Sequence, residues 1–319
     1  MLDHAHLPPA PVRDGWATRI GHRAADAPPH AYFVVSALFH YLGPAFAVLL
    51  FARVDVLGVA WLRIASAALV FAAWRRPWRA YRALDRDGRR LLLAWGAVLA
   101  LMNACFYLAI SRLPLGTVAA IEFLPVIALA ALGARSARNV LALMLAVVGV
   151  YLLTDVRLAG APLGVVLAFA NAVLFALYIV LADRVAKRPG LSGIDGLAGA
   201  MLVAAVLITP IGVVQAAPAL LDPIALLAGI GVGLSSSVIP YVADQLAMAR
   251  LPRATYALMV ALLPAVATVV GIVVLVQVPS WLEAGGVALV IAGVARHRQR
   301  AAAAITGAQP GSATMATGS

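Results

Sequence analysis

Three ionisable side chains stand inside stretches of this chain that are otherwise almost wholly apolar: Arg63 in GVAWLRIASAALVFAAW, Glu122 in AAIEFLPVIALAAL and Asp244 in SSSVIPYVADQLAMAR. Charge at lipid depth is expensive, so each is a candidate functional group. Glu122 has no Lys or Arg within a helical turn in sequence to neutralise it. Desolvation there favours the protonated acid, the property required of a carboxylate that takes up and releases a proton. The competing reading is a glutamate near the outer interface that simply reaches water. Arg63 is either a guanidinium facing inward, able to hold a carboxylate bidentately, or a side chain that snorkels to the interface from the first third of its helix. Asp244 follows Pro240 by one turn; it meets an amine or a proton, or it pairs with Arg250 or Arg253 at a helix end.

Uncharged polar residues supply a possible lining around these charges. Asn103 and Tyr107 are four apart and share a helical face; Asn171 and Tyr178 lie in one later stretch, and Ser235, Ser236 and Ser237 precede Pro240, Tyr241 and Asp244 in another. Buried amides and hydroxyls also hold helices together in membranes, so contact with a ligand and contact between helices both stand. Pro125, Pro240 and Pro264 each interrupt a hydrogen-bond ladder and free a carbonyl, which membrane helices tolerate where the backbone faces a cavity. His40, just before Gly43 and Pro44, reads as packing rather than titrating. Cys105 is the single cysteine, which excludes an internal disulfide and a cysteine metal cluster. His4, His6, His22 and His30 lack ligand-like spacing, and no cofactor is implied. With no HExxH pair, no Asp-rich diphosphate motif and no GxSxG elbow, the chain does not read as an enzyme.

The elements that must position these groups are membrane helices. At 319 residues, 64% hydrophobic, 12% charged and with a mean hydropathy of +0.97, the chain has too much apolar surface for a soluble domain. A spanning helix needs about 20 predominantly apolar residues, and ten such stretches are predicted: 31–51, 58–74, 91–110, 117–133, 140–156, 163–182, 196–215, 224–246, 255–277 and 281–296. With the N-terminus placed inside, the inner segments carry 20 Lys and Arg and the opposite loops 3, namely Arg53, Arg112 and Arg157. That asymmetry puts both ends in the cytoplasm. The net charge of +11 is therefore not a nucleic-acid footprint; the run Arg75, Arg76, Arg79, Arg82, Arg86, Arg89, Arg90, flanked by Trp74 and Trp78, reads as an anchor at anionic headgroups. Residues 1–30 and 298–319 read as a disordered cytoplasmic leader and tail.

A short segment occurs twice. Leu108–Ala119 (LAISRLPLGTVA) and Leu246–Ala257 (LAMARLPRATYA) share seven of twelve positions at an offset of 138 residues, including Arg-Leu-Pro and the Thr three residues later. Five helices between the copies invert the second relative to the first, so 31–156 and 157–297 are expected to be inverted five-helix repeats, the architecture of many secondary transporters.

On these residues the chain resembles the ten-helix, EamA-type members of the drug/metabolite transporter superfamily, and within it the threonine/homoserine exporter branch. The likeness runs from about Trp61 to Gly293 and rests on WLR with Arg63, MNACFYLAISRLPLGTVAAIEF from Met102 to Phe123, LYI at 177–179, and IPYVADQLAMARLPRATYALM from Ile239 to Met259. The resemblance implies a cavity lined by the first, third, fourth, sixth, eighth and ninth helices, with Glu122 matching a glutamate of helix four and Asp244 standing where the exporters carry Glu. Two positions depart: Leu263 precedes Pro264 where the family places Glu, and Val276-Gln277 stands for a Gly-Glu pair. Pro125 also follows Glu122 by three residues, one fewer than in the exporters. The implied protein is a bacterial inner-membrane exporter of a small zwitterionic amino acid, exchanging it for protons through Glu122, with Arg63 or Asn103 on the carboxylate. Export of a drug or another metabolite, such as a nucleobase or osmolyte, is the alternative; a structural membrane subunit or embedded enzyme is the reading from another class. Small residues at Gly285, Gly286 and Ala292–Gly293 leave monomer and homodimer open.

Overall fold

The computed structural model describes residues 28–133, 137–158, 160–188, 193–250 and 262–296, and among these every regular element is helical. In chain order they are α1 (Pro29–Leu50), α2 (Val56–Arg75), α3 (Pro77–Ala83), α4 (Arg86–Ile110), α5 (Leu115–Gly133), α6 (Ala137–Leu158), α7 (Pro162–Ala186), α8 (Gly193–Gln215), α9 (Ala217–Leu221), α10 (Pro223–Gly233), a π-helical turn (Leu234–Val238), α11 (Ile239–Arg250), α12 (Leu263–Leu275) and α13 (Trp281–Arg296). Six apolar helical stretches are long enough to cross a membrane, the longest Arg86–Ile110; four more, Leu115–Pro125, Val140–Leu153, Leu263–Leu275 and Trp281–Ala295, are apolar but shorter.

Local sequence sets the boundaries. Pro29, Pro162 and Pro223 open α1, α7 and α10 at the first turn, where a missing N–H costs nothing. Asp85 and Asp222 cap α4 and α10, accepting from the N–H of Gly88 at 2.8 Å and of Ile224 at 2.9 Å. At α13, Ser280 and Glu283 form a reciprocal capping box of 2.9 and 3.3 Å, which accounts for a glutamate only 3% exposed. The first Arg-Leu-Pro is a corner: Arg112 closes the end of α4 on the Leu108 carbonyl at 2.7 Å, Leu113 is buried, and Pro114 precedes α5. Most of the second copy, from 251 on, lies outside the described residues, as do the first seven residues of the predicted ninth span and both chain termini.

Two expectations need correction. The basic segment 75–90, placed outside the spans, holds a helix of its own: Arg76 adopts a left-handed conformation (φ 49°) that leads the chain into α3, and α4 starts at Arg86 rather than 91. The eighth span is not one regular helix, because the π turn at Leu234–Val238 interrupts it.

The bundle adds buried polar groups to an apolar core and leaves large apolar side chains on its outside. Ser36, Ser66, Asn103, Thr117, Glu122, Asn171 and Ser235–Ser237 are buried, while Leu69, Val173, Val206 and Val273 are largely exposed. Packing partners fall into related pairs: α4 lies on α7 as α11 lies on α1, α4 on α8 as α10 on α2, and α5 on α7 as α12 on α1; α2 with α8, α5 with α12 and α6 with α13 pair across the middle. Backbones touch where side chains vanish. A Cβ on Gly149 would sit 2.6 Å from the Gly286 carbonyl, so Gly286 is spent on the α6–α13 contact within one chain.

Candidate functional site

The π turn and Pro240 build the centre of the site together. Proline at 240 has no N–H to give the carbonyl four residues back, and its ring crowds that carbonyl; the residue there is Ser236. The freed Ser236 carbonyl accepts instead from Arg63 Nη2 at 3.4 Å, while Arg63 Nε donates to Ser237 Oγ at 3.3 Å. Arg63 is thereby drawn into the bundle from α2, and its guanidinium lies 5.5 Å from the ring centroid of Tyr107 on α4. The Pro240 carbonyl in turn accepts from Ser36 Oγ on α1 at 3.3 Å. Gly43 gives α1 its approach here, since a Cβ would lie 2.8 Å from the Ser236 backbone nitrogen. Single π turns inside helices are frequent at functional sites.

Opposite this cation stands a buried acid. Glu122, on α5, is 8% exposed and accepts from Asn171 Nδ2 of α7 at 3.1 Å. Arg63 lies within electrostatic reach of Glu122, of His40 and of Tyr241. Around the two charges, Tyr41 Oη, Tyr107 Oη, Ser236 Oγ and Asn171 Oδ1 are buried with no hydrogen-bond partner among the described residues. Unpaired buried polar atoms cost about 1–3 kcal/mol each; Tyr107 and Ser236 lie close to one another, and the Tyr41 hydroxyl and Asn171 oxygen beside the cation and the acid are what a polar ligand would satisfy. One side of this chamber is aromatic: Trp95 and Tyr178 have centroids 5.6 Å apart, Phe175 stacks on Tyr178 at 6.3 Å, and Phe123 meets Phe175 edge-on at 6.4 Å. Tyr178 on α7 and Tyr241 on α11 lie within electrostatic reach of one another.

Of the residues expected from sequence, Arg63, Tyr107, Glu122, Asn171, Tyr178, Ser236 and Tyr241 converge on this chamber. Asn103 is buried, but its Nδ2 donates to the Leu99 carbonyl of its own helix at 2.8 Å, leaving one N–H and its oxygen for another partner. Asp244 acts electrostatically on Tyr241, and so lies toward one edge of the group. Arg253 is outside the described residues. Sequence reasoning missed Tyr41 and Trp95, and it placed Ser237 in the possible lining without its bond to Arg63. Tyr41 and Trp95 carry no sign of their role in a chain so rich in apolar residues; Ser237 was legible, standing between Ser236 and Pro240.

A helical bundle with apolar flanks and a buried cluster of charged and polar groups shared among several helices fits a multi-pass membrane transporter. Comparison with known proteins refines this class. The EamA-like transporter family matches residues 162–296. The threonine/homoserine exporter RhtA of Salmonella typhimurium (strain LT2) is 34% identical over 240 residues, spanning 73% of this chain and 78% of the exporter. The RhtA of Escherichia coli (strain K12) is 32% identical over the same shares. A solved crystal structure, 20% identical with a TM-score of 0.55, covers 84% of this chain and 98% of its own and supports the fold alone. The chain belongs to the EamA-like transporter family and is a multi-pass exporter of the bacterial inner membrane.

Proposed function

We propose that this chain exports a small zwitterionic amino acid or a close relative, threonine- or homoserine-like, in exchange for protons. The observation that carries this reading is the pairing of Arg63 and Glu122 on one buried chamber with unsatisfied hydroxyl and amide groups around it. A zwitterion offers the complement: its carboxylate suits the Arg63 fork, and its ammonium suits Glu122 and the free Asn171 oxygen. A hydroxyl on the substrate side chain would find Tyr41, Tyr107 or Ser236. Glu122 would then alternate between holding a proton and holding the ammonium, so that each substrate leaving outward is matched by a proton entering. The names of the RhtA relatives support the substrate class.

In this reading the chain has ten spanning helices in two inverted halves, 31–156 and 157–297, with both ends in the cytoplasm. The interchange of packing partners between halves supports the repeat, and the 20 to 3 distribution of cations supports the orientation. Alternating access would rock the halves about the chamber. Two ion pairs are suited to latch its ends: Arg53 with Asp222 at 3.4 Å, and Arg188 with Asp85 at 3.2 Å.

The test is efflux from proteoliposomes of threonine, homoserine and non-zwitterionic metabolites under an imposed pH gradient. Glu122→Gln should retain exchange of substrate for substrate and lose the response to the gradient. An unchanged gradient response in that variant removes Glu122 from the coupling role. Transport of a nucleobase or osmolyte with no transport of amino acids transfers the site to the alternative substrate class.

A further inference from the structure

Away from the charged chamber, α3, α4 and α8 enclose a cavity of about 310 Å³ that opens toward the surrounding medium. Its walls are Pro77, Trp78 and Tyr81 of α3, Leu92 and Leu93 of α4, and a strip of α8 from Gly199 to Leu207. Eight residues of helix rise by about 12 Å, so the groove starts under α3 and runs some two turns toward the bilayer interior. α3 is turned off α2 by the left-handed Arg76, and it sets two unlike faces side by side. Trp78 and Tyr81 point into the groove, whereas Arg79 and Arg82, one turn apart, are exposed.

The cations at this mouth divide into used and unused. Arg75 is bound to Asp195 at 2.8 Å, Arg90 to Asp87 at 3.6 Å, and Arg89 to the carbonyls of Tyr81 and Arg82 at 3.2 and 3.0 Å. Asp85 is taken by Arg188. Arg76, Arg79, Arg82 and Arg86 are exposed and meet no acid among the described residues. An apolar groove, aromatic residues in its wall and unneutralised guanidinium groups on the same short helix match the three zones of a phospholipid.

We infer that this groove is a binding site for one anionic phospholipid, with an acyl chain along α8 and its phosphate-bearing headgroup on Arg79 and Arg82. The site depends neither on the transported substrate nor on which membrane face carries α3. A headgroup there ties α3 to α8, whose start already holds α2 through Arg75 and Asp195.

Native mass spectrometry of the purified full chain, titrated with phosphatidylglycerol or phosphatidylethanolamine of equal chain length, tests the assignment. One phosphatidylglycerol should be retained in preference to phosphatidylethanolamine. The double variant Arg79→Gln, Arg82→Gln should lower that preference by about twenty-five-fold, as each arginine at an anionic headgroup contributes about five-fold. Val206→Trp, which fills the groove from its exposed side, should reduce retention of both lipids; Leu93→Trp replaces it if the first variant does not fold. Equal retention of the two lipids by the wild type, unaltered selectivity in the double variant, or undiminished binding with the groove filled overturns the proposal.

Discussion

Neutralising the two arginine latches one at a time should move the transporter in opposite directions. Arg53, in the connection after α1, pairs with Asp222, the cap of α10; Arg188, in the connection after α7, pairs with Asp85, the cap of α4. The corresponding residues are offset by 135 (Arg53 to Arg188) and 137 (Asp85 to Asp222), close to the 138 of the repeated corner. On the inverted-repeat reading the pairs are counterparts at opposite membrane faces, Arg53 outside and Arg188 inside. The side chains are 61% and 38% exposed in the first pair and 34% and 64% in the second, so each pair is worth about 0.2–1 kcal/mol. Arg53→Gln should therefore raise the ratio of outward-open to inward-open protein by about 1.4- to 5-fold, and Arg188→Gln should lower it by the same factor. The readout is labelling of Ser236→Cys, in a Cys105→Ala background, by an impermeant thiol reagent in right-side-out and inside-out vesicles. Asp85→Asn retains the helix cap while removing the charge, so it should reproduce Arg188→Gln and add nothing to it in the double variant. A shift of both arginine variants in the same direction refutes the latch argument; so does full additivity of Asp85→Asn with Arg188→Gln.

Three further variants probe the chamber and its scaffold. Arg63→Lys keeps the charge but loses the planar fork that bonds Ser236 and Ser237. It should cost about ten- to hundred-fold in kcat/KM for carboxylate-bearing substrates, with little change for the carboxamide analogue; equal losses on both would exclude a clamp. Pro240→Ala restores an N–H opposite the Ser236 carbonyl, so the melting temperature should rise while efflux falls by about ten- to hundred-fold as Arg63 loses its anchor. Val276 is a β-branched residue at φ 56° and 79% exposed, so Val276→Gly relieves about 1–2 kcal/mol of strain against about 0.5–1 kcal/mol of added chain entropy. Its melting temperature should rise by about 1–3 °C, and a fall would show that the valine packs rather than strains.

What was legible in the sequence followed from the solvent. Apolar runs, caps and proline breaks are local, so most helices could be read without coordinates, whereas the inward and outward readings of Arg63 and Glu122 both stood until the structure showed Glu122 buried and Arg63 bonded to Ser236 and Ser237. Pro240 marked a freed carbonyl, but not that its occupant would be Arg63, because that contact joins α2 to the π turn across 173 residues. Tyr41 and Trp95 were invisible because a buried aromatic in an apolar chain has many ordinary uses, and only the absence of a partner for its polar atom among the described residues sets it apart. Val276-Gln277 shows the reverse case. The departure from Gly-Glu looked like a lost acid, yet Gln277 Oε1 accepts from the Leu115 N–H at 3.0 Å and holds the start of α5, a task that an amide oxygen performs as well as a carboxylate.

The repeated residues and the chemical residues are different sets, and the division has a physical reason. Arg112, Leu113 and Pro114 form a corner, and the paired latches sit at helix caps; such features serve either half equally when the chain is turned over. The chamber is not shared in this way. At the offset of the repeated corner, Glu122 corresponds to Val260 and Arg63 to Met201, and α8 carries no cation and only one acid, Asp195 at its start. A symmetric chamber would bind a zwitterion in two opposed orientations with equal energy, and the proton site would then face the carboxylate half of the time. On the proposed function, placing the cation on α2 and the acid on α5 alone would fix one orientation, so that a substrate ammonium would meet Glu122 on every cycle. Moving the acid to its counterpart, as Glu122→Val with Val260→Glu, should therefore fail to restore gradient-driven efflux even where the protein folds and reaches the membrane.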